Sequence, residues 1–133
     1  MKSDSTLLSL RIAALLLALL TTVQLVLGLM IASGTWVSSH GMIGYVTFVV
    51  SVVAAVAAFM WKRVSGNTAL FMHAVGLMVL TLVQIGVAEM DLRTVHIVVG
   101  VLVFIGAVAL ATLSLRKPGA RLDAGIPSSR LQG

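Results

Sequence analysis

Two histidines, each followed at the fourth position by a glycine, are the residues of this chain best suited to chemistry. The motif occurs once as His40 with Gly44 and again as His96 with Gly100. Neutral imidazole binds transition metals and is an axial ligand of heme iron. Each motif opens an apolar run. Ionisable groups inside a bilayer are energetically costly, so those that are present usually have a function. The repeated motif therefore indicates a ligand site.

A glutamine precedes each histidine motif by one apolar run. Gln24 ends the stretch Thr21-Thr22-Val23-Gln24, and Gln84 ends the stretch Thr81-Leu82-Val83-Gln84. Both fit a Thr-x-Val-Gln pattern. The two glutamines are expected near the same membrane surface as the histidines, where an amide can hydrogen-bond an imidazole N–H or an edge group of a cofactor.

Composition places the chain among polytopic membrane proteins. It is 59% apolar and only 10% charged, with a mean hydropathy of +1.13, well outside the range of soluble domains. The absence of cysteine excludes disulfides, iron–sulfur clusters and covalent heme attachment. The net charge of +5 comes mostly from residues that flank the apolar runs, so we predict a lipid bilayer and no nucleic acid as the partner.

The apolar runs predict four transmembrane helices, at about 7–31, 40–61, 68–88 and 94–115, because about 20 residues span a bilayer core. They form one domain over residues 1–116, and residues 117–133 form a polar cytoplasmic tail. Ser38 or Ser39 is expected to cap the second helix. A cleaved signal peptide is the alternative for the first run, but the run is too long and no convincing cleavage site follows it.

The basic residues predict the orientation of the chain in the membrane. With the N-terminus inside, eight of the nine Lys and Arg residues lie on the inner side, and only Arg93 lies outside. The inner residues are Lys2, Arg11, Lys62, Arg63, Arg116, Lys117, Arg121 and Arg130. The positive-inside rule therefore predicts a multi-pass protein of the plasma membrane with both termini in the cytoplasm and both histidines near the outer face.

The repeat predicts an all-α, up-down-up-down four-helix bundle made of two parallel repeated hairpins. In such a bundle the second and fourth helices lie across a diagonal. His40 and His96 start those helices at similar depth, so both imidazoles are expected to face the bundle axis.

Two facing imidazoles suit the axial positions of one heme b, and they leave the iron no open position, which favours electron transfer. Gly44 and Gly100, one turn below the histidines, would leave room for the porphyrin edge. Gln24 and Gln84 would support the ligands. Arg93 is expected to pair with a heme propionate. We thus predict His40 and His96 as metal ligands and the other five residues as cofactor-binding.

A plainer interpretation exists for each residue. A histidine at a helix end often lies in headgroup water, and glycines and glutamines often serve helix packing alone. His73 lies about 20 Å along the axis from the pair. It could hold a second heme with a methionine such as Met60, relay protons, or hydrogen-bond a neighbouring helix; the last role is favoured because no other histidine lies at its depth.

These stretches resemble one half of the heme A synthase family, over about residues 17–115. The matching stretches are Gln24-Leu25-Val26-Leu27-Gly28, Ala32-Ser33-Gly34, His40 with Gly44, Val83-Gln84-Ile85-Gly86, and His96 with Gly100. The resemblance implies a bundle that binds heme through His40 and His96. The first connector lacks the family's arginine-containing Thr-Gly-x-Gly signature, its cysteine pair and its catalytic acid, so the oxidation chemistry is not implied.

The leading functional hypothesis is a small b-type cytochrome, an electron carrier or a heme-bearing subunit of a membrane oxidoreductase rather than an enzyme in itself. A heme at one face of the bilayer implies a redox partner protein or a quinone, and a membrane complex or homo-oligomer is compatible with it. The alternatives are a heme-free accessory or assembly subunit and a small transporter. The transporter is disfavoured because no acidic residue is embedded in the membrane.

Overall fold

The computed structural model describes residues 2–120 and residue 122, with side chains from residue 4 onward. The described part of the chain contains four α-helices: α1 Lys2–Ala32, α2 Ser39–Ser65, α3 Thr68–Glu89 and α4 Arg93–Arg116. All four are long and apolar enough to cross a membrane. The prediction of an all-α protein with four candidate transmembrane helices is therefore confirmed.

The helices extend beyond the predicted apolar runs because polar residues can continue a helix past the membrane core. α1 begins at Lys2 rather than near Leu7, and α2 continues beyond Trp61 to Ser65. Asp4 lies in the first turn of α1, where a negative charge is favourable to the helix dipole. Hydropathy thus predicted the membrane-spanning portion of each helix and not its ends.

The turns differ in how they terminate and start helices. Ser38 occupies the N-cap of α2, one of the two predicted positions, but it has helical backbone angles and makes no side-chain capping bond, so the predicted hydrogen bond is wrong. Asn67 instead caps α3, because its Oδ1 accepts from the Leu70 N–H at 3.1 Å. Gly66 ends α2 with φ +70°, a left-handed conformation that favours glycine.

Neighbouring helices pack in a ring. α1 packs on α2 and α4, and α3 packs on the same two helices, so α2 and α4 lie across a diagonal. The start of α1 lies beside the end of α4, since Arg11 Nε donates to the Ser114 carbonyl at 3.1 Å. We call the end that carries Lys62, Arg63 and Arg116 the basic end, and the opposite end, with His40 and His96, the histidine end.

Residues that face the bundle axis repeat at alternating steps of four and three along every helix, the spacing of left-handed bundle packing. In α1 these are Leu10, Ala14, Leu17 and Thr21; in α2, Thr47, Ser51, Ala54, Ala58, Trp61 and Ser65; in α3, Leu70, Ala74, Leu77 and Thr81; and in α4, Val103, Ala107, Leu110 and Ser114. The same steps continued toward the histidine end reach Gln24, Gly28, His40, Gly44, Gln84, Ala88, His96 and Gly100. The predicted site residues therefore continue the core-facing stripes.

The core is dense only toward the basic end. Its buried members there include many alanines, with Leu17, Leu77 and Leu110 between them. Beyond Thr21 in α1 and Thr81 in α3, no further residue of those two helices is buried. The histidine end therefore has space between the helices.

The chain after α4 packs against the basic end of the bundle. The Pro118 carbonyl accepts from Trp61 Nε1 at 2.7 Å and from Asn67 Nδ2 at 3.0 Å. The first residues of the predicted tail 117–133 are therefore held by α2 and by the start of α3. Residue 121 and residues 123–133 of that tail lie outside the described residues.

Candidate functional site

The structure brings the two predicted histidines together. His40 is in the first turn of α2 and His96 in the first turn of α4, and the two helices face each other across the diagonal. The ring centroids are 6.0 Å apart, and the ring planes make an angle of 69°. Both side chains are half-buried. The imidazoles are thus near neighbours at one end of the bundle.

The separation of the rings suits a single metal centre between them. A metal–imidazole bond is about 2.0 Å long. The distance from a ring nitrogen to the ring centre is about 1.1 Å when the ring bonds are about 1.35 Å. Two imidazoles on opposite sides of one metal therefore have their centroids about 6 Å apart. No group of three or more His, Cys, Asp or Glu in the described residues could hold a bare ion. Two protein ligands suit an iron whose other ligands come from a macrocycle.

Each glutamine side chain bonds the backbone of a histidine on the next helix. Gln24 Nε2 donates to the His40 carbonyl at 3.0 Å, and Gln84 Nε2 donates to the His96 carbonyl at 2.8 Å. The glutamines were expected to hydrogen-bond either an imidazole N–H or an edge group of a cofactor, and the first of these can be examined directly. Neither side chain does so here; the Nδ1 of His96 lies instead 3.2 Å from the backbone carbonyl of Gln84.

The glycines make room for these glutamines. A Cβ at Gly44 would lie 2.9 Å from Gln24 Nε2, and a Cβ at Gly100 would lie 2.8 Å from Gln84 Nε2. A helical carbonyl points toward the residue four positions later, so a missing Cβ at that position opens the histidine carbonyl to a second donor. The space expected to receive a porphyrin edge is occupied by a carboxamide in this structure, which explains the His-x-x-x-Gly spacing.

A cavity of about 300 Å³ opens between the four helices at the histidine end. Its deepest lining includes the buried residues Thr21, Thr47, Thr81 and Val103, one from each helix. The three threonine hydroxyls donate to carbonyls of their own helices at 2.7–3.0 Å. The cavity therefore combines a mainly apolar interior with few free polar groups, as cofactor sites usually do. This threonine layer was not predicted, although Thr21 and Thr81 open the two Thr-x-Val-Gln stretches.

Three buried side-chain atoms in the described residues have no hydrogen-bond partner: Gln24 Oε1, Gln84 Oε1 and His40 Nδ1. All three belong to residues that line the cavity. Buried polar groups are normally satisfied, so their concentration here is compatible with a site that holds a ligand.

Charged residues lie at the mouth of the cavity. Arg93, the predicted propionate partner, lines the cavity, is exposed and donates through Nη2 to the Ala32 carbonyl at 3.3 Å. Tyr45 and Glu89 also line it, with the tyrosine hydroxyl donating to Glu89 Oε1 at 3.3 Å. Arg93 is thus placed to meet an anionic group, and Glu89, the last residue of α3, adds an acid to the mouth of the cavity.

His73 takes no part in the cavity lining. Its Nε2 lies 2.8 Å from the Gly106 carbonyl oxygen on α4. The favoured interpretation, a hydrogen bond to a neighbouring helix, is confirmed.

Comparisons with known proteins give this chain no relatives. No family model, no curated protein and no solved structure matches it. The resemblance to one half of the heme A synthase family therefore stays a prediction based on the residues quoted above.

Proposed function

We propose that this protein is a small b-type cytochrome of the membrane that holds one heme b between His40 and His96. The observation that carries the proposal is the meeting of two imidazoles, from diagonal helices, at a centroid distance of 6.0 Å beside a cavity of about 300 Å³. A heme bound there would supply one-electron redox chemistry. The chain has no cysteine, so attachment would be through the axial ligands alone.

The residues around the pair support this function. The hydrogen bonds from Gln24 and Gln84 hold the first turns of α2 and α4, which fixes the backbone that carries both ligands. The threonine layer and the packed leucines below it separate the site from the basic end. Arg93 at the mouth would balance the charge of a propionate.

The finer architecture is also part of the proposal. We infer two parallel repeated hairpins in an up-down-up-down bundle, because α1–α2 and α3–α4 each carry the same glutamine-to-histidine contact. The charge distribution supports a plasma-membrane location with both termini cytoplasmic and the site at the outer face. An electron carrier with one heme at that face would exchange electrons with a partner protein or a quinone, within a membrane complex or a homo-oligomer.

The test is the absorption spectrum of the protein purified in detergent, before and after dithionite. A six-coordinate low-spin heme is expected to give a Soret band and sharp reduced α and β bands. His40→Ala or His96→Ala should lower the heme content or convert the heme to high spin. His73→Ala is the matched control, since His73 lies outside the cavity, and should leave the spectrum unchanged. A colourless protein that cannot be reconstituted with heme would refute the proposal.

A heme-free accessory or assembly subunit is the second candidate. The observation in its favour is that Gln24 and Gln84 bridge helices without any ligand and occupy the space beside the glycines. In that case His40→Ala and His96→Ala should change neither colour nor spectrum, while Gln24→Ala should weaken assembly of the bundle.

A further inference from the structure

The two histidines differ in what holds their rings. His96 Nδ1 lies 3.2 Å from the Gln84 carbonyl oxygen. Because a carbonyl can only accept, Nδ1 carries the proton and Nε2 keeps its lone pair for a metal. His40 Nδ1 is buried and has no partner in the described residues. An outer hydrogen bond that fixes ring orientation and tautomer thus exists for one histidine only.

The neighbours of the two histidines differ as well. Gly28 on α1 adjoins the His40 ring: a Cβ at Gly28 would lie 3.5 Å from His40 Cε1. The equivalent position of α3, four residues after Gln84, is Ala88. The His40 ring therefore borders a position of α1 that has no side chain.

On the basis of the heme site proposed above, we propose that His96 is the permanent axial ligand and His40 a displaceable one. With a ferrous heme bound, His40 would give up its place as a ligand to a small neutral diatomic molecule. The coordination bond to His40 would break as the bond to the diatomic forms, and the imidazole would leave neutral without transfer of an electron. Within the described residues, no hydrogen bond to His40 Nδ1 opposes the exchange. The site would therefore bind a gas as well as carry electrons.

The test uses carbon monoxide and the purified heme-loaded protein reduced with dithionite. The wild-type protein should form a carbon monoxide adduct at a rate that saturates with gas concentration, because departure of His40 limits it. His40→Ala should keep its heme in a high-spin form and bind carbon monoxide without that limit. The His96→Ala variant should bind heme about 10-fold or more weakly than the His40→Ala variant. A hydrogen bond that supports a metal ligand typically contributes at least that much to affinity.

Gly28→Ala provides a test that leaves both ligands in place. The added methyl group reaches ordinary contact distance of the His40 ring and narrows the space into which it moves, so the saturating rate should fall several-fold. Gly86→Ala is the control, because a Cβ there meets nothing within 4 Å, and should leave the rate unchanged.

The outcomes separate the two proposals. A protein that binds heme but never reacts with carbon monoxide, or whose two histidine variants lose heme equally, overturns the inequality of the ligands and leaves the heme site standing. An unchanged rate in Gly28→Ala also counts against the displacement of His40. A protein that takes up no heme overturns both.

Discussion

The carbonyl oxygens of His40 and His96 explain why a glycine follows each histidine at the fourth position. Each carbonyl receives a carboxamide from the preceding helix of the chain at 2.8–3.0 Å, and the glycine leaves the space in which that carboxamide lies. The motif is thus a helix-to-helix contact as well as a pair of candidate ligands. Within each motif, the histidine supplies the carbonyl and a candidate ligand, and the glycine supplies the space for the carboxamide.

Gly44→Ala tests this contact. The new Cβ would lie 2.9 Å from Gln24 Nε2, so the carboxamide must move away from the His40 carbonyl. We expect a loss of about 0.6 kcal/mol, the typical value of an interhelical hydrogen bond in a membrane. The measurement is unfolding of the protein in mixed micelles.

Two further variants make this stability test specific. Gly76→Ala adds a methyl group into open space and should not destabilise. Gln24→Ala combined with Gly44→Ala should cost no more than the larger single change, because both remove the same bond. Full additivity of the two changes would show that the glycine and the glutamine do not act together.

At the scale of helices, α2 changes character along its length. Its axis-facing residues Thr47 and Ser51, nearer the histidine end, are polar, and Ala54 and Ala58, further along the helix, are small and apolar; the buried Trp61 follows nearer the basic end. Ser51 Oγ lies 2.8 Å from Thr81 Oγ1 on α3, at the boundary between the two regions. Small residues let helix backbones approach closely. The small residues in the middle of α2 are consistent with the dense packing of the bundle toward the basic end.

Ala54→Leu should therefore destabilise the protein. Ala54 is 0% exposed, and added volume in a packed core costs about 1–3 kcal/mol. Val53→Leu, on the same helix but 53% exposed, is the control and should be close to neutral. Both are measured by thermal unfolding in detergent. Equal stability of the two variants would mean that the basic end is not tightly packed.

For the whole molecule, the distribution of side chains matches a lipid environment. Large apolar residues such as Leu19, Val49 and Ile105 are 57–60% exposed on the outside of the bundle, where lipid tails would cover them. Lys62, Arg63 and Arg116 gather at one end. A lipid bilayer therefore suits this surface, and the distribution of charge is the basis of the orientation proposed above.

The absence of cysteine permits a direct test of the predicted topology. Thr35→Cys places a thiol in the connector at the histidine end, and Ala120→Cys places one at the basic end; both positions are exposed. A membrane-impermeant thiol reagent added to intact cells should label only the Thr35→Cys variant. Both variants should be labelled after the membrane is dissolved. Labelling of Ala120→Cys in intact cells would reverse the orientation.

The sequence by itself determined the helices and the nearness of the histidines to one end of the bundle. Each span was predicted to within a few residues, except for the polar start of α1 and the end of α2, because bilayer thickness sets the length of an apolar run. The repeat also placed His40 and His96 at similar depth on diagonal helices, with Gly44 and Gly100 one turn below them, since these relations follow from helix geometry.

Only the tertiary structure decided what those residues touch. The partner of Gln24 is a backbone carbonyl, and backbone groups leave no pattern in residue types. The approach of His40 to His96, the threonine layer below them and the Tyr45–Glu89 bond at the mouth depend on how closely four helices pack. So does the difference between the two histidines: the Gln84 carbonyl lies 3.2 Å from His96 Nδ1, while His40 Nδ1 has no partner in the described residues. These contacts join residues that are far apart in the sequence, and they form only when the four helices pack together.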